Sequence, residues 1–328
     1  MENIVEFKSQ IFNTDKHSFA NKALALFNYQ VEQNPVYRKF LQYLDISPQS
    51  VSAIEHIPFL PIEFFRTHKI ITGDVNTGNY FESSGTTSEL KSLHYISDSS
   101  LYIESIVKGF ELFHGEIKNY CYLALLPSYL ERKHSSLVMM CNELINRSNY
   151  KQSGFYLNEY EKLIDIVKRN EAGNIPTILI GVSFALLELA EHFQLPLKNT
   201  IIMETGGMKG RRKEITREEL HAIIKSAFGI NTIHSEYGMT ELLSQAYSNK
   251  DGLFFSPPWL KVFTRDAEDP FKLLAPGKTG CLNIIDLVNI HSCSFIATRD
   301  LGRINADNSF EVIGRLDNSD IRGCNLLI

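Results

Sequence analysis

Four hydroxyls, a glycine and a lysine fall within the single short stretch Phe81-Glu-Ser-Ser-Gly-Thr-Thr-Ser-Glu-Leu-Lys91. The hydroxyls are Ser83, Ser84, Thr86 and Thr87. Gly85 has no Cβ, so its φ can be positive and a ligand can come close to the backbone. Successive backbone N–H groups in such a turn form a concavity that binds anions, and the hydroxyls add uncharged donors. Lys91 supplies the point charge that a polyphosphate would require. The pattern therefore reads as a phosphate-binding loop; as a bare composition it also suits a polar surface turn. It is not a Walker loop. Gly73 and Gly78 have that motif's spacing, but Asn79 and Tyr80 stand where Lys and Ser/Thr are needed.

Positioning such a loop requires a rigid frame, and the flanking sequence describes one. Apolar residues at helical spacing over Phe19–Leu44 predict two helices that meet at Asn34-Pro35. The proline-rich segment Ile57–Phe65 is read as crossing the surface of a sheet. Asp98 is a candidate N-cap for a helix turning Ile103, Ile106, Val107 and Phe110 inward. Between 120 and 230, β-prone runs (Tyr120–Leu126, Thr177–Ile180, Thr200–Met203) alternate with amphipathic helices (Ser135–Ile145, Tyr160–Lys168, Phe184–Phe193, Thr216–Phe228). Thr216 and Glu219 have capping-box spacing. This alternation predicts an α/β fold, a parallel sheet with helices on both faces. From residue 252 the pattern turns to strands and turns (Leu253–Phe255, Lys261–Thr264, Cys281–Val288, Ser294–Thr298), read as an antiparallel β subdomain on the same core. The domain reading is residues 1–312, with 252–312 as that subdomain, followed by 313–328 as hinge and short tail.

Composition excludes several function classes. The 328 residues are enough to bury a sizeable core. A net charge of −5 offers no footprint for nucleic acid or for a polybasic membrane anchor. The start Met1-Glu-Asn-Ile-Val-Glu has neither a basic nor an apolar leader region, and the most apolar run, Ile175–Leu187, is too short to span a bilayer. Five scattered cysteines (121, 141, 281, 293, 324) show no Cys-x-x-Cys pair, which suits a reducing cytoplasm and argues against a disulfide or zinc framework.

Two later segments extend the loop into an ordered series: Glu236-Tyr-Gly-Met-Thr-Glu241 and Ala297-Thr-Arg-Asp-Leu-Gly-Arg303. With Ser83–Lys91 they resemble, in order and approximate spacing, the Ser-Gly-Thr-Thr-Gly-x-Pro-Lys, Tyr-Gly-x-Thr-Glu and Arg-x-Gly-Asp motifs of adenylate-forming enzymes. Ser88 replaces the last loop glycine, Leu90 replaces the proline, and Arg299-Asp300 lacks the intervening glycine. The resemblance implies an adenylate-forming large-domain fold with ATP and Mg²⁺. It implies that Tyr237 stacks on the adenine with room at Gly238, alongside Thr240. Gly206-Gly207 would border the adenine, Asp300 would accept from the ribose hydroxyls, and Arg315 would contact the nucleotide. Glu241 would be the metal ligand, since Mg²⁺ takes one or two carboxylates plus phosphate oxygens. Taken singly, Tyr237 also reads as a core residue, Glu241 as a solvated glutamate at a helix start, Asp300 and Arg315 as turn residues.

Longer strings narrow the likeness. Leu126-Pro-Ser-Tyr-Leu-Glu-Arg132, Met203-Glu-Thr-Gly-Gly-Met-Lys-Gly-Arg-Arg212 and His234–Glu241 resemble the acyl-protein synthetases of bacterial luminescence systems, roughly from Pro58 to Cys324. Membership implies ATP-dependent activation of a carboxylic acid, usually a fatty acid, to an acyl-adenylate. The acyl group then passes to a near-terminal cysteine and on to a partner such as an acyl reductase. Cys324, in Arg322-Gly-Cys-Asn325, matches that cysteine, with Cys293 as the rival thiol. The runner-up is an aryl- or acyl-CoA ligase of the phenylacetate type. Against it, Gly314-Arg-Leu-Asp317 matches the start of the CoA-ligase hinge, but only eleven residues follow Asp317 and the usual lysine is missing. A third reading takes Gly181-Val-Ser183 after a strand as a nucleophile elbow, with Asp286 and His291 completing a serine-hydrolase triad. Ser183 is equally the N-cap of the helix that follows.

Overall fold

The structure is a computed structural model that describes residues 4–83, 90–127, 134–206, 215–250 and 252–316. The chain divides into two compact units. One comprises residues 1–102, 240–244 and 255–328; the other comprises 103–239 and 245–254.

The second unit is the parallel sheet. Its strands run in the spatial order Gly154–Phe155, Cys121–Leu125, Thr177–Val182, Thr200–Thr205, His234–Tyr237 and Ala246–Ser248, all parallel except the last. Every residue of Cys121–Leu125 and Thr177–Val182 is buried. That is why these strands read as unbroken apolar runs rather than alternating ones. The intervening helices are Ser136–Arg147, Tyr160–Ala172, Ser183–His192 and Arg217–Phe228. The last has the capping box expected of Thr216 and Glu219, and ends on Gly229 with a φ of 59°.

In the first unit, helices Phe19–Gln33 and Pro35–Tyr43 meet at Asn34, whose side chain accepts from Val36 N and Tyr37 N. Strands Leu260–Arg265, Thr279–Asp286, Phe295–Ile304 and Phe310–Arg315 pair antiparallel in that order. Leu60–Pro61 adds in parallel to Ile296–Ala297, so the proline-rich segment becomes an edge strand, the position in which proline is tolerated. A hairpin that the sequence reading lacked, Asn79–Glu82 with Leu93–Ile96, carries the hydroxyl-rich loop. The antiparallel strands share their unit with the N-terminal helices rather than with the parallel sheet. Gln30 accounts for part of this: its Nε2 donates to Asn289 O (2.9 Å) and Ile290 O (3.1 Å), and its Oε1 accepts from Ser294 N (2.9 Å). The boundary placed at residue 312 falls inside the strand Phe310–Arg315. Among the described residues, no helix is long and apolar enough to cross a membrane.

Candidate functional site

In the first unit the hydroxyl-rich loop leaves and rejoins the hairpin at a closed base. Ser83 N donates to Ser92 O (3.1 Å), and Ser92 N donates to Ser83 Oγ (2.9 Å). Lys91 Nζ is ion-paired with Glu82. Ser84, Gly85, Thr86 and Thr87 lie outside the described residues.

Glu241 belongs to a turn, not to a helix start, and is only 5% exposed, so the solvated reading of its side chain does not hold. Burial raises its carboxyl above the ordinary value. The Ser92 hydroxyl and the Arg315 charge oppose that shift, while Asp300 adds to it. The hairpin, the turn and the strand pair thus bring Ser92, Glu241, Asp300 and Arg315 into one electrostatic cluster. Asp300 and Arg315 face each other across neighbouring strands, beside a register shift at Leu301/Gly302. Neither is a turn residue: Asp300 lies within Phe295–Ile304, and Arg315 ends Phe310–Arg315.

The turn is pinned by residues that the motif reading missed. Asp286 Oδ2 accepts from Leu243 N (2.8 Å) and Ser244 N (3.0 Å), and Oδ1 accepts from Ser244 Oγ (2.7 Å) and Val288 N (3.1 Å). Asn289 Nδ2 donates to Glu241 O (2.8 Å), and His94 Nδ1 donates to Thr240 O (2.8 Å). Their one sequence signal is polarity in or just after otherwise apolar strands: His94 lies within Leu93–Ile96, Asp286 ends Thr279–Asp286, and Asn289 follows it in a turn.

In the second unit, Gly206 follows the strand Thr200–Thr205 with a φ of 69°, a conformation glycine adopts without strain. Gly207 lies outside the described residues. Tyr237 ends its strand 9% exposed, with Phe254 edge-on at 5.9 Å. A Cβ at Gly238 would press on the Glu236 carboxylate, which accepts from Thr205 Oγ1. This close packing accounts for the glycine.

Ser183 is the first residue of its helix, with Val182 in the N-cap position and no side-chain cap. The capping expectation fails because the hydroxyl is used elsewhere. Ser183 Oγ donates to Glu204 Oε1 (2.6 Å) and lies 3.1 Å from Gly206 O. Its partner is thus the Glu204 carboxylate and the Gly206 carbonyl, not the imidazole that the triad reading gave it. Asp286 is equally committed, to the four donors above, so the hydrolase triad is not assembled.

Glu204 is the buried centre of this unit's polar network. Its Oε2 accepts from His221 Nε2 (2.9 Å) and lies 3.6 Å from Arg217 Nε. Burial pushes its carboxyl up, but the His221 hydrogen bond, Arg217 and Ser183 outweigh that, leaving it below the ordinary 4.5. A lowered folded value means that the stabilisation is fully present above pH 4.5 and is lost as pH falls through the folded value. Glu204→Gln is therefore expected to cost about 3 kcal/mol at pH 7 and progressively less below pH 4.5. Urea midpoints of wild type and variant at pH 7 and pH 4 check this; a constant difference would refute it.

All four described cysteines are buried. Burial raises the thiols of Cys121, Cys141 and Cys281, and that of Cys293 to about 12. Cys324 lies outside the described residues. Among the described residues, no group of three or more His, Cys, Asp or Glu is placed to hold a metal. The buried Glu241 carboxylate does fit the mode in which Mg²⁺ takes a single protein carboxylate and completes its shell with phosphate oxygens and water.

No curated protein matches the chain significantly. Among solved structures it is similar to 2-hydroxyisobutyryl-CoA ligase in an open conformation with 2-HIB-AMP and CoA. The identity is 13%, the TM-score 0.67, and the match covers 92% of this chain and 70% of that one. It is similar as well to ATP-bound MatB from Rhodopseudomonas palustris (18% identity, TM-score 0.55, 74% of this chain and 50% of that one). An ATP-bound RpMatB-BxBclM chimera gives 18% identity and a TM-score of 0.56 over 74% of this chain and 50% of that one. The chain thus spans about half the length of the MatB structures it matches. At such identities the likeness is one of fold: the α/β fold of adenylate-forming ligases. The sequence profile described as acyl-protein synthetase, LuxE, matches residues 149–328, more than half of the chain. With the Tyr237–Glu241 and Asp300–Arg315 segments both inside that match, the chain belongs to the acyl-protein synthetase (LuxE) family.

Proposed function

We propose that this protein uses ATP to activate a carboxylic acid, of the fatty acyl class, as an acyl-adenylate, and then carries the acyl group on Cys324 to a partner protein. The observation that carries the first half is the clustering of Ser92, Glu241, Asp300 and Arg315 around a turn pinned by Asp286, Asn289 and His94. Three motif segments far apart in sequence contribute to it. A carboxylate oxygen of the acid attacks the α-phosphorus of ATP; that P–O bond forms as the bond to the leaving pyrophosphate breaks. Asp300 accepts from the ribose hydroxyls and Arg315 draws the nucleotide's phosphate. Ser83, Ser84, Gly85, Thr86 and Thr87 cradle the departing phosphates, with Lys91 exchanging Glu82 for them. Gly206, Gly207, Tyr237, Gly238 and Thr240 line the nucleoside. Glu241 holds Mg²⁺, which when bound neutralises charge on the phosphates.

In the second half, the Cys324 thiolate attacks the acyl carbon: a C–S bond forms and the C–O bond to AMP breaks. Exchange onto a thiol of the partner, an acyl reductase by family precedent, completes the transfer. A cytoplasmic setting suits a free thiol carrier.

Pyrophosphate exchange into ATP, assayed against a panel of carboxylic acids of increasing chain length, tests the adenylation step; no exchange with any of them would refute it. Turnover on free CoA without labelling of the protein would favour a CoA ligase. In the same assay, Glu241→Gln is expected to raise the Mg²⁺ midpoint by about tenfold, because an amide oxygen is a poorer ligand than a carboxylate. Since burial raises the Glu241 carboxyl, protons compete with the metal: the wild-type midpoint should fall as pH rises, and the variant's should not. An unchanged titration would remove Glu241 from the metal site.

A further inference from the structure

Against the antiparallel sheet of the first unit lies a pocket of about 220 Å³. One wall is the buried run Ile57, Pro58 and Phe59. The opposite wall is Phe271 and Leu273, from the loop between strands Leu260–Arg265 and Thr279–Asp286. The first wall packs on the sheet, where Phe59 meets Phe263 edge-on at 6.0 Å. Phe263 is the register partner of Asn283, which is 0% exposed and forms the floor. The loop wall is held in shape. Leu273 bridges to Arg265, Asp266 N donates to Lys272 O (2.8 Å), and Phe271 N donates to Asp269 Oδ1 (3.0 Å). None of Ser92, Glu241, Asp300 or Arg315 is among the walls, so this is not the site described above.

A polar atom at this floor lacks a partner. Arg265 Nη1 donates to Asn283 Oδ1 (3.1 Å) and Leu282 O (3.2 Å), and its Nη2 donates to Thr298 O (2.8 Å). A guanidinium can only donate, so the orientation of the Asn283 amide is fixed and Nδ2 is its free end. Nδ2 is buried without a hydrogen-bond partner. A buried donor left unpaired is costly, and at the floor of a pocket it calls for an acceptor. That acceptor is uncharged. One neutral amide cannot satisfy a carboxylate or a phosphate, whose remaining oxygens would face Pro58, Phe59 and Leu273. Glu55, exposed at the mouth beside His56, further opposes an anion.

The room sets the size of the ligand. An apolar cavity of about 150 Å³ admits benzene, so about 220 Å³ admits one ring or branched chain with a short substituent. Phe271 is 54% exposed, and an apolar body in the pocket would cover part of it. We propose that this pocket is a binding site for a small neutral molecule with a ring or branched apolar body and one carbonyl oxygen, which accepts from Asn283 Nδ2 while the body fills the space between Phe59 and Phe271. Such binding requires neither ATP nor the adenylation chemistry proposed above.

Three probes test this: acetophenone, a ring with a carbonyl; ethylbenzene, nearly the same shape without one; and benzoate, a ring with a carboxylate. In ¹H–¹⁵N NMR of the full chain, acetophenone is expected to shift the Asn283 Nδ2–H signals and the backbone amides of Phe271 and Leu273 saturably. No shift at these signals would overturn the site. Asn283→Asp keeps an acceptor for Arg265 and removes the donor, so it should weaken acetophenone about tenfold more than ethylbenzene. Equal weakening of the two would overturn the hydrogen bond to the carbonyl. Benzoate should bind about tenfold more weakly than acetophenone, and benzoate binding as tightly or more so would overturn the neutral class. Leu273→Trp, at a half-buried position, fills the pocket and should abolish the shifts with both neutral probes, which keeps the site testable if Asn283→Asp does not fold. Unchanged acetophenone binding in Leu273→Trp would place the probe elsewhere and overturn the site.

Discussion

Cys324→Ser is expected to abolish acyl labelling of the protein while leaving acid-dependent pyrophosphate exchange in place. The two steps use different atoms: adenylation joins the acid to the α-phosphate, and only the later transfer needs a thiol. The structure weighs against the other cysteines as carriers. Cys293 is 0% exposed, its Sγ–H donates to Phe295 O (3.4 Å), and burial lifts its thiol to about 12. At pH 7 roughly one Cys293 thiol in 10⁵ would be ionised, and a nucleophile must be both thiolate and accessible. Cys121, Cys141 and Cys281 are buried with raised thiols as well. The measurement is incubation with ATP and radiolabelled acid, then a denaturing gel with and without hydroxylamine. Wild type should carry a hydroxylamine-labile label, and Cys324→Ser none. A labile label that persists in Cys324→Ser would place the nucleophile elsewhere.

Asp286→Ala is expected to destabilise the protein by about 3 to 5 kcal/mol, because three backbone donors and one hydroxyl lose their acceptor inside the core. Asp286 is 0% exposed, and the donors it holds are Leu243 N, Ser244 N, Ser244 Oγ and Val288 N. Three of them belong to Leu243 and Ser244, just after Glu241, so the loss should also blunt adenylation through displacement of that carboxylate. Asp286→Asn retains an acceptor oxygen and should lose less. Urea denaturation of the two variants, alongside the Mg²⁺ midpoint of pyrophosphate exchange, checks both effects. A loss below about 1 kcal/mol for Asp286→Ala would mean that water replaces the carboxylate, and that the turn does not depend on it.

What the sequence by itself determined about this protein is local in origin. Apolar runs such as Thr177–Ile180 announce parallel strands covered on both faces, because such strands have no wet side to mark with polar residues; the strand itself extends to Val182. Helix starts at Asn34 and Thr216 follow from side chains that reach only two or three residues ahead. The motif segments were likewise legible, since each packs its chemistry into consecutive positions. What only the tertiary structure decided is where distant polar groups meet. Asp286 and Ser244 are 42 residues apart, and Gln30 reaches Asn289 across 259. No local pattern records that Asp286 anchors a turn rather than serving a triad, or that the Ser183 hydroxyl donates a hydrogen bond to Glu204 instead of capping its helix. A buried carboxylate has many possible donors in sequence, and burial makes any unmatched pairing costly. The pairing that satisfies all of them at once is therefore fixed only when the whole chain is packed.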